Sequence, residues 1–267
     1  MSPALLSALG AFVIMLVSLS GVLFVWKRAG NWLEENLHYL ISFSAGVFLL
    51  LAINVAIESV EFTGSAWLSL AALAVGIFLT WGVQLLFPET HHHHEKHHTH
   101  RHSKAGARRI MFGDAAHNIA DGILLVPAFV VDTRLGLAVL IGVLVHEFAQ
   151  EISEFIVYKE AGYSTARALF LNFLVSATIL IGIALGALLT SYDSLVGLLL
   201  ALSAGSFFFV VGYDLVPNSL RKAEGSRRSI TTAVLLMLVG VAAMYALGQL
   251  VPEGHGEELE GAYISEE

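Results

Sequence analysis

The sequence predicts an all-α fold: a polytopic membrane protein with eight transmembrane helices. Three observations carry this. The chain has 267 residues, of which 56% are hydrophobic and only 13% charged, with a mean hydropathy of +0.74, far too apolar for a soluble domain. Its apolar runs exceed the roughly 20 residues needed to cross hydrocarbon. The basic residues, finally, alternate between the ends of those runs. Barrel strands are excluded because they alternate over about ten residues, whereas these runs are long and continuously apolar.

In chain order, the first span, 3–26, has no basic residue ahead of its apolar run. It lacks the charged start of a cleavable signal peptide and is expected to remain as a helix. Lys27 and Arg28 close it, and the second span covers 37–57. The third, 66–87, leads into a loop, 88–107, that carries Lys96, Arg101 and Lys104; Arg108 and Arg109 open the fourth span, 108–131. The fifth, 135–158, ends at Lys159, and the sixth, 166–190, begins beside Arg167. The seventh, 194–217, is followed by Arg221, Lys222, Arg227 and Arg228, and the eighth, 229–250, by an acidic tail, 251–267. Of 14 Lys and Arg, only Arg134 falls outside the odd-numbered loops. Basic residues concentrate on the cytoplasmic side, so a cell-membrane protein with both termini and the tail outside is expected. The whole chain, 1–267, reads as one transmembrane domain whose surroundings are the lipid bilayer. A net charge of −8 suggests no nucleic-acid partner, and zero cysteines exclude disulfides and thiolate ligands.

Two strings break the apolar pattern: His117-Asn118-Ile119-Ala120-Asp121-Gly122 in the fourth span and His146-Glu147-Phe148-Ala149-Gln150-Glu151 in the fifth. An ionisable group at the centre of a membrane helix costs about 2.5–3.5 kcal/mol even on lenient scales, so such groups are kept with partners or a pathway. Residues four apart share a helix face. His117 with Asp121, and His146 with Gln150, therefore make two ladders at matching depth. Two imidazoles, a carboxylate and an amide oxygen suit a borderline divalent ion such as zinc. Asn118 and Glu147 lie beside them and allow a second, adjoining ion sharing Asp121 and Gln150. The plain alternative is that these groups only pair with one another to hold helices together; the convergence of seven of them at one depth argues against it.

The paired motifs resemble those of the ZIP zinc and iron permeases: His-Asn-x-x-Asp-Gly in span four and His-Glu-x-x-x-Glu in span five. Eight spans, outside termini and a His-rich third loop match too, so the resemblance covers the whole chain. It is similar above all to the branch with His-Glu-x-Pro-His-Glu in span five, from which this chain departs at Ala149, Gln150 and Ala120. By resemblance, one metal sits on His117, Asp121, His146 and Gln150, and a second on Asn118, Asp121, Glu147 and Gln150; Glu151 belongs to the motif. The span-six carboxylate of some relatives is missing around Ile179 and Leu180, with Asn172 and Ser176 as replacements or as ordinary packing polar residues. The expected cargo is zinc, with iron, manganese and cadmium left open by the neutral Gln150. The resemblance further implies uptake into the cytoplasm, an elevator-like motion of helices one, four, five and six, and a homodimer.

Asp114 and Glu154 extend the two ladders toward the cytoplasm and suggest an exit, unless they sit among headgroups. The third loop holds His91, His92, His93, His94, His97, His98, His100 and His102, an interrupted cluster that reads either as a weak metal acceptor or sensor, or as a solvated linker. Ser44-Ala45-Gly46-Val47-Phe48 in span two recurs as Ser203-Ala204-Gly205-Ser206-Phe207 in span seven. That suggests an inverted repeat with a midplane site between helices four and five, or only the small residues usual in membrane packing. Two rival functions remain. An intramembrane metalloprotease needs a second imidazole where Gln150 stands. A passive divalent-cation channel would use the same buried ligands.

Overall fold

The structure, a computed structural model, describes residues 1–87, 103–222 and 227–250. The histidine cluster, 91–102, and the acidic tail, 251–267, lie outside the described residues. Among the described residues, ten α-helices build eight segments long and apolar enough to span a bilayer. All eight overlap the expected spans; the largest departures are in the second, which runs Glu35–Thr63 against the expected 37–57, and the seventh, Asp193–Arg221 against 194–217.

Helix α1 (Pro3–Val17) continues as a 3-10 helix over Ser18–Val25; α2 covers Lys27–Thr63 and α3 Ala66–Leu86. Helix α4 (Lys104–Val131) starts a turn before the expected span, so the end of the expected 88–107 loop is helical. Its start is capped by Ser103, whose hydroxyl accepts the Gly106 N–H at 3.1 Å. Helix α5 is Thr133–Glu160. A single residue, Asp132, separates it from α4, and its carboxylate accepts the Arg134 N–H. That makes α4 and α5 a tight antiparallel hairpin.

The sixth span is broken rather than continuous. Helix α6 (Thr165–Ser176) and α7 (Ile179–Leu189) meet at Ala177 and Thr178, where 3-10 bonds run from Leu180 N–H to Ala177 and from Ile181 N–H to Thr178. The Thr178 hydroxyl reaches the carbonyls of Val175 (2.7 Å) and, across the interface, Ala115 (3.1 Å). The seventh span is α8 (Asp193–Phe209), a π-helical turn over Val210–Leu215, and α9 (Val216–Lys222). Pro217 has no N–H to offer four residues back, and the Val216 N–H reaches Val211 instead. Helix α10 (Arg227–Leu250) completes the fold.

The helices fall into two groups. Helices α2, α3, α8 and α10 pack on one another, and α1, α4, α5, α6 and α7 form the second set, with α2 against α5 and α4 against α8 across the seam. Within each group backbones approach closely through glycines. A Cβ on Gly46 would lie 1.9 Å from the Met237 carbonyl oxygen of α10, and one on Gly240 would lie 2.2 Å from that of Phe43. Gly76 and Gly205 make the same reciprocal contact between α3 and α8, each 2.0 Å from a partner carbonyl. Gly122 and Gly182 do so between α4 and α7. Such approach lets dispersion hold helices together where lipid supplies no hydrophobic drive. The seam is side-chain packing instead: Phe48, Leu51 and Val55 of α2 share a core with Leu125, Val139 and Val143. Outward faces stay apolar, as at Phe78 and Leu79 of α3 and Leu235 and Leu238 of α10.

Candidate metal centre

The α4–α5 hairpin sets the site. His117 lies 15 residues before Asp132 and His146 lies 14 after it, which at about 1.5 Å per residue places both some 22 Å from the turn. Their rings meet edge to face with centroids 5.2 Å apart. Phe48 of α2 packs on the other side of His146, its ring centroid 4.7 Å away.

His117, His146 and Glu147 each bring a donor atom within 4.8 Å of the other two. His117 Nε2 stands 3.7 Å from Asp121 Oδ2 and 3.8 Å from Glu147 Oε1. These separations are too long for hydrogen bonds. They approach the roughly 3.3–3.5 Å between neighbouring ligands of one tetrahedral zinc, given bonds of about 2.0–2.2 Å. Asp121, His146 and Glu147 are buried, and the His117 side chain is 13% exposed. A cluster of two imidazoles and two carboxylates at this spacing is suited to a divalent cation.

The remaining expected residues gather around Asp114. It is fully buried, and Glu154 is buried as well. Asn118 Nδ2 donates to the Asp114 carboxylate at 2.9 Å and to its carbonyl at 3.1 Å. Gln150 Nε2 donates to the same carboxylate at 2.6 Å and to Glu154 at 3.3 Å. The Gln150 amide nitrogen is thus directed to Asp114 and Glu154, while the α5 side chain drawn close to His117 is Glu147, beside Asp121 of α4. Asn172 Nδ2 donates to the Glu151 carbonyl at 3.0 Å and so ties α6 to α5. Asn118 Oδ1, both Glu151 carboxylate oxygens, Asn172 Oδ1 and Ser176 Oγ are buried with no hydrogen-bond partner among the described residues. Leaving one such group unsatisfied costs about 1–3 kcal/mol, and a set of them on three adjoining helices offers polar contacts that ions or water can satisfy.

Sequence reasoning passed over two contributors. Tyr158 continues the series 146, 150, 154 by four more residues and donates its hydroxyl to Glu154 at 2.9 Å; the +4 spacing was the available signal. Phe48 had none, because only packing of α2 on α5 brings it to His146.

A profile of the family described as ZIP Zinc transporter matches residues 88–248, which include both motifs. The chain belongs to the ZIP zinc transporter family. Metal cation symporter ZIP14 of Xenopus tropicalis is 29% identical over 150 residues, 55% of this chain and 32% of its own length. Human metal cation symporter ZIP8 is 29% identical over 151 residues, again 55% of this chain and 33% of its own. Zinc transporter ZIP6 of Pongo abelii is 32% identical over 112 residues, 42% of this chain and 15% of its own. The chain therefore spans about a third or less of the length of these curated relatives. ZIP family members are transporters rather than enzymes.

Proposed function

We propose that this ZIP protein carries a divalent metal cation, zinc first, across the bilayer into the cytoplasm, binding it midway between α4 and α5. The observation that carries the proposal is the buried convergence of His117, His146 and Glu147, with donor atoms within 4.8 Å of one another, and of Asp121 at 3.7 Å from His117, close enough to share an ion. His117, Asp121, His146 and Glu147 surround the first ion, with the Gln150 carbonyl oxygen completing its shell. Asn118, Asp121, Glu147 and Gln150 are the second set, and Glu151, Asn172 and Ser176 offer oxygen donors next to it. Asp114 and Glu154 then receive the cation on its way in. The inward direction rests on the likeness to the ZIP family, and the basic residues of the odd loops indicate which side is the cytoplasm.

An inverted repeat is part of this reading. Exchanging span two with seven and three with eight turns the Gly46–Gly240 contact into the Gly205–Gly76 contact, which is what an opposed pair of three-helix units around α4 and α5 requires. The division into two helix groups supports movement of α1 and α4–α7 against the rest. Purified protein in sealed vesicles, offered zinc, iron, manganese and cadmium in turn, tests the proposal: saturable zinc uptake is expected, and absence of flux for every ion would refute it.

A further inference from the structure

Gln150 has an orientation that chemistry settles. Two carboxylate oxygens, Asp114 Oδ1 at 2.6 Å and Glu154 Oε1 at 3.3 Å, lie against one end of its amide. Three acceptors with no proton between them would repel, so the NH2 end faces the acids and the carbonyl oxygen points away. The carbonyl is the end able to bind a cation. Glu154 is in turn held by Tyr158, whose hydroxyl donates to Oε2 at 2.9 Å. Tyr158 is wholly buried, packed with Ala107, Ile110, Phe155 and Ala168 and edge-on to the Tyr163 ring at 6.3 Å. It is a fixed post, and a hydrogen bond made in such a low-dielectric setting is stronger than one in water.

We propose that Tyr158 is a positioning residue for metal recognition: its hydroxyl fixes the Glu154 carboxylate, which with Asp114 holds the Gln150 amide with its carbonyl oxygen toward the transported cation. The proposal rests on the reading of Gln150 as a ligand of the pathway. Groups that orient a metal ligand in this way typically change metal affinity by about 10- to 100-fold when removed; with Asp114 still in place, the lower end of that range applies here.

The test is zinc uptake by the full chain in sealed vesicles, with manganese as competitor. Tyr158→Phe keeps the ring and removes only the hydroxyl. The KM for zinc should rise about tenfold, with kcat changed less than twofold and competition by manganese weakened, because the misplaced donor is an oxygen of the kind manganese favours. In a Gln150→Ala background the same substitution should add nothing, because the amide it acts through is gone. An unchanged KM in Tyr158→Phe, or equal effects with and without Gln150, would overturn the proposal by reducing Tyr158 to packing. If Gln150→Ala alone leaves KM and competition untouched, Gln150 is not a ligand, and that part of the functional reading falls together with this inference. Should Tyr158→Phe not fold, Glu154→Asp withdraws the carboxylate from both partners while leaving the aromatic packing, and the same outcomes decide.

Discussion

At the scale of single residues, the proposed site rests on how closely the donor atoms of α4 and α5 converge. His117 Nε2 faces two carboxylates at 3.7 and 3.8 Å, a geometry that, in the function proposed, a cation would bridge. The composition of this set governs selectivity. Gln150→His replaces a neutral oxygen donor with imidazole, which zinc favours more than manganese does. Zinc should therefore bind more tightly and resist competition by manganese better, while turnover falls because release slows; identical competition profiles for variant and parent would remove Gln150 from the ligand set. Much of this site is legible in the sequence, because residues four apart must share a helix face. What is not legible is how each helix is rotated about its axis, and that rotation brings Glu147 to His117 and turns the Gln150 amide to Asp114.

At the scale of elements, the α4–α5 hairpin aligns the two motifs, and the glycine contacts fix the helices around them. All eight spans could be read from apolar run length, since the bilayer dictates it. The break at Ala177 and Thr178 and the π-helical turn at Val210–Leu215 could not. Each depends on a local contact, the Thr178 hydroxyl on Ala115 and the detour around Pro217, that leaves hydropathy unchanged. The closeness of α4 and α7 gives a direct prediction. A Cβ on Gly182 would stand 2.1 Å from the Ile119 carbonyl oxygen, two residues from His117. Gly182→Val must push the helices apart, at a cost of about 1–3 kcal/mol or more. A lower thermal midpoint of the purified protein and reduced zinc uptake are expected. A variant with unchanged midpoint would show that the α4–α7 contact is looser than described.

At the scale of the whole molecule, two helix groups meet at a side-chain seam that holds the site, with the histidine cluster, 91–102, joined to α4 by sequence. Metal affinity and metal passage are separable there. Deleting 91–102 removes eight imidazoles and none of the buried donors, so initial zinc uptake in vesicles should persist while stoichiometric zinc binding by the purified protein falls. Abolished uptake in a well-folded deletion would place the loop in the pathway, and unchanged binding would make it a linker.

The central claim is that the cation crosses through the donors gathered between α4 and α5, and His117 is the residue on which their geometry turns. The most direct measurement is the initial rate of zinc uptake into sealed vesicles by His117→Ala beside the parent protein, at equal amounts of monodisperse protein. Loss of the imidazole removes the donor that faces both Asp121 and Glu147, so uptake should drop to the level of empty vesicles. Uptake at the parental rate by a folded His117→Ala protein would contradict the account.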